Sequence, residues 1–182
     1  MRAFGLYKIV GFYLAMTSVS LGAIGARSGL RALLPGASWR AWLVAVALGL
    51  AAGMAVVVMT RISSHRFVWA SRLDQEFRAL VGDLSGVETF LIAASSGLGE
   101  ETLFRGLLQP ALGLWLGAAV FGLLHVGPNQ RFVPWTVMAF LMGLLLGAMC
   151  LWTGNLLAAV LTHLTVNYMN LRYLAARPGV RL

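Results

Sequence analysis

The feature that most constrains this sequence is a series of long apolar runs without a charged residue. Four such runs cover residues 9–26, 41–60, 106–124 and 132–162. One helical crossing of a bilayer needs roughly 20 apolar residues, and the last run is long enough for two. A turn is predicted there at Thr153-Gly154-Asn155, because glycine and asparagine favour turns. The runs therefore predict an integral membrane protein.

The composition supports this class and limits the fold to helices. Of the 182 residues, 59% are hydrophobic and 11% are charged, and the mean hydropathy is +0.82, outside the range of soluble domains. Backbone polar groups in hydrocarbon must be satisfied internally, and no segment alternates like a barrel strand. We therefore predict an all-α, polytopic membrane helical bundle of about six transmembrane helices: 5–26, 41–60, 86–108, 111–126, 133–152 and 155–174.

The most charged stretch, between the second and third predicted spans, indicates an additional helix that lies on the membrane surface. It reads RISSHRFVWASRLDQEFRALVGD and mixes basic, acidic and apolar residues. Its helical spacing predicts an interfacial amphipathic helix. The side chains available for its membrane face are Phe67, Trp69, Leu73, Phe77 and Leu80. His65, in the same stretch, receives no predicted role.

The distribution of basic residues predicts the orientation. With six spans, ten of the 14 Lys and Arg residues fall at the termini and the second and fourth connections, three fall on the other side, and Arg105 lies within a span. The positive-inside rule then places both termini in the cytoplasm, and we expect a bacterial inner (plasma) membrane. The first apolar run follows Arg2 and Lys8 like a signal peptide, but it is long for one, so an uncleaved span is favoured.

The charge distribution and the cysteine count argue against nucleic-acid binding and against an internal disulfide. The net charge of +8 is spread over the flanks of apolar segments without interleaved aromatic residues, which is typical of membrane proteins and argues against nucleic acid. Cys150 is the one cysteine, so no internal disulfide is possible. The bilayer itself is the expected environment.

Three charged side chains in the third predicted span are the strongest functional signal. Placing a charge at mid-bilayer costs about 2.5 kcal/mol or more. The presence of Glu100, Glu101 and Arg105 there therefore indicates a structural or functional role. Glu101 and Arg105 are four residues apart and can form an ion pair on one helix face. Glu100 points about 100° away and has no such partner. A structural ion network accounts for the pair, whereas Glu100 is a candidate general base or acid.

Further polar side chains occur at helical spacing in later spans. Phe121 and His125 are four residues apart, as are His163 and Asn167, and Asn170 continues the second face. Each group alone is typical of helix capping or of hydrogen bonding between helices. Together with Glu100 they can form one polar pocket able to hydrolyse an amide.

The three segments EETLFR, FGLLH and HLTVN resemble the EExxxR, FxxxH and HxxxN motifs of the CAAX-protease and bacteriocin-processing (CPBP) family of intramembrane proteases. The resemblance covers about residues 90–172. It implies a helical membrane endopeptidase that acts on a peptide or a membrane-anchored protein tail. It divides the chain into N-terminal helices and connector (1–85) and a catalytic core (86–182) within one bundle.

The resemblance also implies roles for the motif residues. Glu100 would activate water, His125 would assist it, and His163 and Asn167 would form the oxyanion hole. Three other motif residues, Glu101, Arg105 and Phe121, would support the site. From the residues themselves, we expect a neutral His163 N–H and the Asn167 amide to donate to the oxyanion.

Alternatives to this mechanism stay open at this point. Zinc could bind Glu100, His125 and His163, but asparagine is a poor zinc ligand and no HExxH is present, so a site without a cofactor is favoured. The chain could also be a non-enzymatic scaffold or bacteriocin-immunity-type protein of the same fold. A third possibility is an ion or proton carrier that uses the same side chains as relay groups.

The predicted position of the break between the third and fourth spans has a geometric consequence. If the chain reverses at Pro110, Glu100 and His125 differ in depth by roughly 7 to 8 Å at about 1.5 Å per residue. Tilt, or a kink near Gly97 and Gly99, is then required to bring the two side chains together.

Overall fold

A computed structural model describes residues 3–36 and 38–176, and this part of the chain is helical without a strand. Seven α-helices follow one another: α1 Ala3–Arg27, α2 Trp39–Arg66, α3 Val68–Val81, α4 Gly86–Glu101, α5 Gln109–Leu123, α6 Val133–Thr153 and α7 Leu157–Ala176. A π-helix, Thr102–Leu108, joins α4 to α5, and short 3-10 helices occupy Leu30–Leu33 and Gln130–Phe132.

Four helical stretches are long and apolar enough to cross a membrane: Gly5–Arg27, Trp39–Arg66, Gly86–Leu123 and Gln130–Thr153. The membrane helical bundle is thus confirmed, and the four stretches differ from the six predicted spans in two respects. The predicted third and fourth spans form one continuous stretch that bends. The helix that contains the sixth prediction, α7, is not among the four because it carries more polar side chains.

The bend lies at Gly113 rather than at Pro110. Gly113 has φ 75° and ψ 174°, a backbone conformation that favours glycine, and it breaks the helix inside α5. The remaining segment, residues 114–123, is about 15 Å long at 1.5 Å per residue, half of a hydrocarbon core of about 30 Å. The predicted fourth span is therefore a half-helix that folds back onto the π-helix, with Phe121 against Phe104 at a ring-centroid distance of 4.9 Å.

The π-helix explains why Pro110 does not end the helix. Proline has no N–H, and in an α-helix its ring clashes with the carbonyl group four residues earlier. In the preceding π-turns the hydrogen bonds span five residues, as in the bond from Gln109 N–H to the Phe104 carbonyl, so the helix is wider before Pro110. The kink expected near Gly97 and Gly99 is absent, because both residues lie within regular α4.

Local sequence also sets other helix ends. Ser85 and Glu88 form a reciprocal capping box that starts α4 at Gly86. The turn predicted between the last two helices is present, with Gly154 in the left-handed conformation at φ 69°. The predicted second helix is longer than expected and ends at Arg66, so Arg61 lies within it.

The directions of the helices follow from contacts along their lengths. α2 and α7 are parallel, since Gly49 lies beside Ala158 and Arg61 reaches Asn170. α4 is antiparallel to α7, because its Phe90 packs on Tyr168 and its last residue contacts His163. α1 is parallel to α4. The start of α1 and the end of α7 therefore lie at the same end of the bundle, although Arg2, Arg177 and Arg181 are outside the described residues.

Helix α3 is the amphipathic helix that the connector predicted, with a different apolar face. Leu73 is buried against the bundle, and the Phe77 ring packs on Phe132 and Trp135. Both were expected to face the membrane. An ion pair between Glu76 and Arg131 fastens α3 to the segment before α6, and this hydrogen bond holds the pKa of Glu76 below its usual range.

Close packing of α2 against α7 depends on glycine at position 49. A Cβ atom there would lie 2.7 Å from the Ala158 carbonyl oxygen and 2.8 Å from Leu161 Cβ. Both distances are too short, and the backbone oxygen cannot rotate away. We expect Gly49→Ala to separate the helices and to lower the thermal unfolding temperature, at a cost of about 1 to 3 kcal/mol.

The matched control is Gly11→Ala in α1, where an added Cβ meets nothing within 4 Å. It should leave stability unchanged or slightly higher, because alanine favours helices. Equal melting temperatures for the two variants in detergent would show that the contact between α2 and α7 is not limiting.

Candidate active site

A buried ion network ties α4, the π-helix, α6 and α7 together. Arg105 Nη1 donates to Glu101 Oε1 at 2.9 Å, which is the ion pair expected from their spacing. His163 Nδ1 lies 2.7 Å from the same oxygen, and Arg105 Nη2 donates to the Gly143 carbonyl at 3.3 Å. The Arg105 guanidinium also lies over the Phe121 ring, 4.4 Å from its centroid. These contacts fix the orientations of Glu101, Arg105 and His163 relative to one another.

Glu100 has a different environment from Glu101. Its Oε2 atom lies 3.6 Å from His125 Nε2 and 3.8 Å from His163 Nε2. These separations exceed a direct hydrogen bond, and among the described groups this buried oxygen has no hydrogen-bond partner. Three polar atoms from α4, α7 and the residues after α5 thus face one point. Such an arrangement can hold a small polar molecule such as water.

The Gly113 bend removes the depth difference that a break at Pro110 would cause. Glu100 is 13 residues before Gly113 and His125 is 12 residues after it. At equal rise per residue the two side chains lie at nearly the same depth. The returning half-helix therefore places His125 beside Glu100 without a kink in α4.

Hydrogen-bond partners determine which histidine nitrogens carry protons. His125 Nδ1 lies 2.6 Å from the Phe121 carbonyl oxygen, and His163 Nδ1 faces the Glu101 carboxylate. Both partners only accept, so each Nδ1 carries the hydrogen. The Nε2 atoms that face Glu100 are then acceptors in the neutral rings. With this tautomer, His163 donates to the pocket only as an imidazolium.

Asn167 lies one turn beyond His163 on α7 and is held from α4. Its Nδ2 donates to Ser96 Oγ at 3.0 Å, an interaction between residues 71 positions apart. Because this hydrogen bond fixes the Asn167 amide group, it also fixes the direction of the second Nδ2 hydrogen. Asn170 is not part of this group, because it contacts Arg61 and Thr60 of α2 instead.

Two residues beside the site had no signal in the sequence. The Tyr13 hydroxyl of α1 interacts with the Glu100 carboxyl. The close approach of α1 is possible because Gly99 faces the Tyr13 carbonyl, only 3.0 Å from where a Cβ would be. A tyrosine in the first apolar run and Ser96 in α4 have no charge or motif to distinguish them. Their proximity to the site arises from packing between helices.

A cavity of about 430 Å³ leads to the two histidines, His125 and His163. The polar groups Asn167, His163 and His125 line it, whereas most of its wall is apolar. α3 contributes Leu73 and Phe77 to that wall, which links the amphipathic helix to the site. The cavity can hold an extended apolar segment beside His125 and His163.

The described residues contain no group of three His, Cys, Asp or Glu side chains arranged to hold a metal ion. The zinc ligand set suggested by the sequence, Glu100, His125 and His163, thus gains no support from this geometry. The nearest pairs are the carboxylate and imidazole atoms already described.

Comparison with known proteins gives a family match over the part of the chain that carries the site. Residues 84–169 match the model described as type II CAAX prenyl endopeptidase Rce1-like. An uncharacterized protein of Bacillus subtilis, YpbD, is 37% identical over 79 residues, which cover 43% of this chain and 39% of YpbD. The chain thus spans well under half of that relative's length. No solved structure matches it.

The two glutamates should differ in their effect on stability. Arg105→Ala removes the cation from a buried pair, and such a break costs about 3 to 5 kcal/mol because the other charge stays buried. We expect this variant to unfold at a clearly lower temperature in detergent, with reduced yield. Glu101→Ala should do the same, since it leaves Arg105 unpaired.

The isosteric Glu100→Gln variant is the control, because Glu100 lies 3.6 and 3.8 Å from its two histidine neighbours, farther than the 2.9 Å that separates Glu101 from Arg105. It should melt at about the wild-type temperature. A loss of stability as large as that of Arg105→Ala would contradict the separate roles assigned to Glu100 and Glu101.

Proposed function

We propose that this membrane protein hydrolyses a peptide bond in a peptide or a membrane-anchored protein tail, because residues 84–169 match the family described as type II CAAX prenyl endopeptidase Rce1-like, a family of proteases. One observation carries the proposal: the Glu100 carboxylate faces two imidazole Nε2 atoms at 3.6 and 3.8 Å beside an apolar cavity. A structural ion pair would not need a buried carboxylate oxygen without a hydrogen-bond partner among the described groups.

In the proposed first step, Glu100 removes a proton from water while the water oxygen attacks the substrate carbonyl carbon. His125 Nε2 accepts a hydrogen bond from the same water and keeps it oriented, because its Nδ1 hydrogen is bound to Phe121. The carbonyl double bond opens and its electron pair moves to the oxygen. The product of this step is a tetrahedral oxyanion and a protonated Glu100.

The oxyanion needs donors, and two are within the cavity. Asn167 offers an amide hydrogen, and His163 offers Nε2–H as an imidazolium whose charge Glu101 balances. The buried charges of Glu100, Glu101, Arg105 and His163 then sum to zero, which limits the cost of burying them. When the tetrahedral intermediate collapses, Glu100 returns its proton to the leaving amine and the C–N bond breaks.

We propose the same environment and partners that the sequence suggested. The substrate enters from the lipid bilayer, the termini face the cytoplasm, and nucleic acid has no role. A scaffold or immunity-type protein of the same fold would keep the bundle but would not depend on the Glu100 proton. The variants below separate these functions.

Catalytic variants should lose processing but keep the fold. We expect Glu100→Gln and His125→Ala to reduce turnover by about 10² to 10⁴, the range of general acid–base catalysis. Asn167→Ala should lower kcat by about 10² to 10³, as for one oxyanion donor. The measurement is quantitative mass spectrometry of membrane-protein tails and released peptides from cells that carry each variant, followed by kinetics on the substrates found.

Glu88→Gln provides the matched control on the same helix. It makes the same chemical change outside the cavity, and glutamine also serves in a capping box. Wild-type processing by Glu100→Gln would reject the protease and favour the scaffold.

We also propose that the reaction requires no metal cofactor. After dialysis of the purified protein against a strong chelator, the rate on an identified substrate should be unchanged, and added Zn²⁺ should not increase it. Activity lost on chelation and restored by Zn²⁺ would instead assign Glu100, His125 and His163 as ligands.

A further inference from the structure

His125 differs from the other groups around Glu100 in how its position is set. Glu100 lies on α4 and His163 lies on α7, so the hydrogen bonds of two helices fix their backbones. His125 follows the end of α5 at Leu123 and lies in a turn. A turn constrains the direction of a side chain less than a helix does. Contacts with other segments must therefore orient the His125 imidazole.

The first turn of α6 supplies two of these contacts. The Thr136 hydroxyl donates to the His125 carbonyl at 2.9 Å. The neighbouring Trp135 ring meets the imidazole edge to face, with ring centroids 5.2 Å apart and ring planes at 75°. This is a favoured geometry for aromatic pairs. Phe121 contacts the same imidazole at a centroid distance of 4.3 Å, so His125 packs against two aromatic rings.

Trp135 is itself held by aromatic side chains of two other segments. Phe77 of α3 packs on it with ring centroids 5.0 Å apart and planes at 89°, and Phe132 does so at 6.1 Å and 69°. The ion pair between Glu76 and Arg131 keeps α3 beside this segment. These contacts restrict the rotation of the Trp135 ring, which makes it a rigid support for the imidazole.

Trp135 also lines the cavity, so a role in binding substrate must be distinguished from a role in holding His125. The residues that α6 contributes to the cavity wall beyond Trp135 include Met138, Leu141 and Met142, which are not aromatic. An apolar wall does not require an aromatic ring, whereas an edge-to-face contact with an imidazole does. The ring geometry therefore favours the role in holding His125.

We propose that Trp135 is a positioning residue, which holds the His125 imidazole with Nδ1 on the Phe121 carbonyl and Nε2 toward Glu100. This inference rests on the proposed peptidase function, in which His125 orients the attacking water. It also gives α3 a part in the site, because Phe77 supports Trp135 from outside the matched residues 84–169.

The first measurement needs no substrate. The protein is labelled with ¹⁵N in its three histidines and placed in phosphatidylcholine nanodiscs, and the His125→Gln variant assigns the ring N–H signal of His125. The exchange rate of the His125 Nδ1 hydrogen with water reports how often its hydrogen bond to the Phe121 carbonyl opens. In Trp135→Leu we expect this rate to rise about tenfold, because an aromatic contact that opposes opening is lost.

Two references separate this effect from a loss of fold. The Nδ1 hydrogen of His163, which lies 2.7 Å from Glu101 Oε1 across the ring nitrogen, should keep its exchange rate in Trp135→Leu. Trp152→Leu makes the same change on the same helix, at a side chain that is 72% exposed, and should keep both rates.

Further variants at position 135 keep the test decisive. If Trp135→Leu does not fold, Trp135→Met fills more of the space without an aromatic ring and is judged by the same criteria. Trp135→Phe retains an aromatic ring, so it should recover part of the slow exchange at His125.

The second measurement distinguishes positioning from substrate binding. Its probe is a released peptide whose processing depends on Glu100, found in the mass spectrometry screen of the variants. Trp135→Leu should lower kcat about tenfold, like the exchange effect, and change KM by less than about twofold. A raised KM with an unchanged kcat would assign Trp135 to the substrate wall and would overturn the positioning role.

The outcomes also distinguish this inference from the peptidase function. An unchanged His125 exchange rate in the folded non-aromatic variant overturns the positioning role, and so does a wild-type His125 N–H that exchanges too fast to be observed. Processing that depends on Glu100 would still support the peptidase in both cases. If Glu100→Gln kept wild-type processing, the peptidase would fail, while the exchange rates would still decide whether Trp135 holds His125.

Discussion

The ion pair between Glu101 and Arg105 is the interaction on which the other parts of the site depend. Within apolar helices the two charges must satisfy each other, and they do so at 2.9 Å with both side chains almost fully buried. Because Glu101 Oε1 also meets His163, the pair fixes the direction of that ring. Arg105 reaches the α6 backbone as well. The membrane therefore enforces the geometry: any rearrangement would leave a charge unpaired in a medium that tolerates it poorly.

Two backbone features bring the remaining groups to this anchor. The π-helix carries the chain through Pro110, and the Gly113 bend returns it so that His125 arrives at the depth of Glu100. Both features act through the path of the backbone. The site thus combines an electrostatic constraint, which orients side chains, with a local backbone constraint, which sets their depth. A displaced bend would separate the groups without altering any of them.

Relationships within one helix were predictable from the sequence, whereas those between helices were not. The spacing of Glu101 and Arg105 predicted their ion pair, because residues four apart lie on the same face of an α-helix. The bend was misplaced because proline is the stronger general helix breaker, and the π-turns that accommodate it leave no sequence signal. The contacts of Ser96 and of Arg61 with α7 depend on packing, and nothing local to either residue reveals its partner.

The shortness of the half-helix 114–123 has a consequence for the supply of the nucleophile. Residues 124–129, which follow it, are non-helical, and irregular backbone at membrane depth persists only where protein or solvent satisfies its polar groups. The His125 carbonyl is satisfied by the Thr136 hydroxyl at 2.9 Å, while several neighbouring residues are exposed. We propose that this exposed stretch admits solvent next to the imidazole and so supplies the water that the proposed hydrolysis consumes.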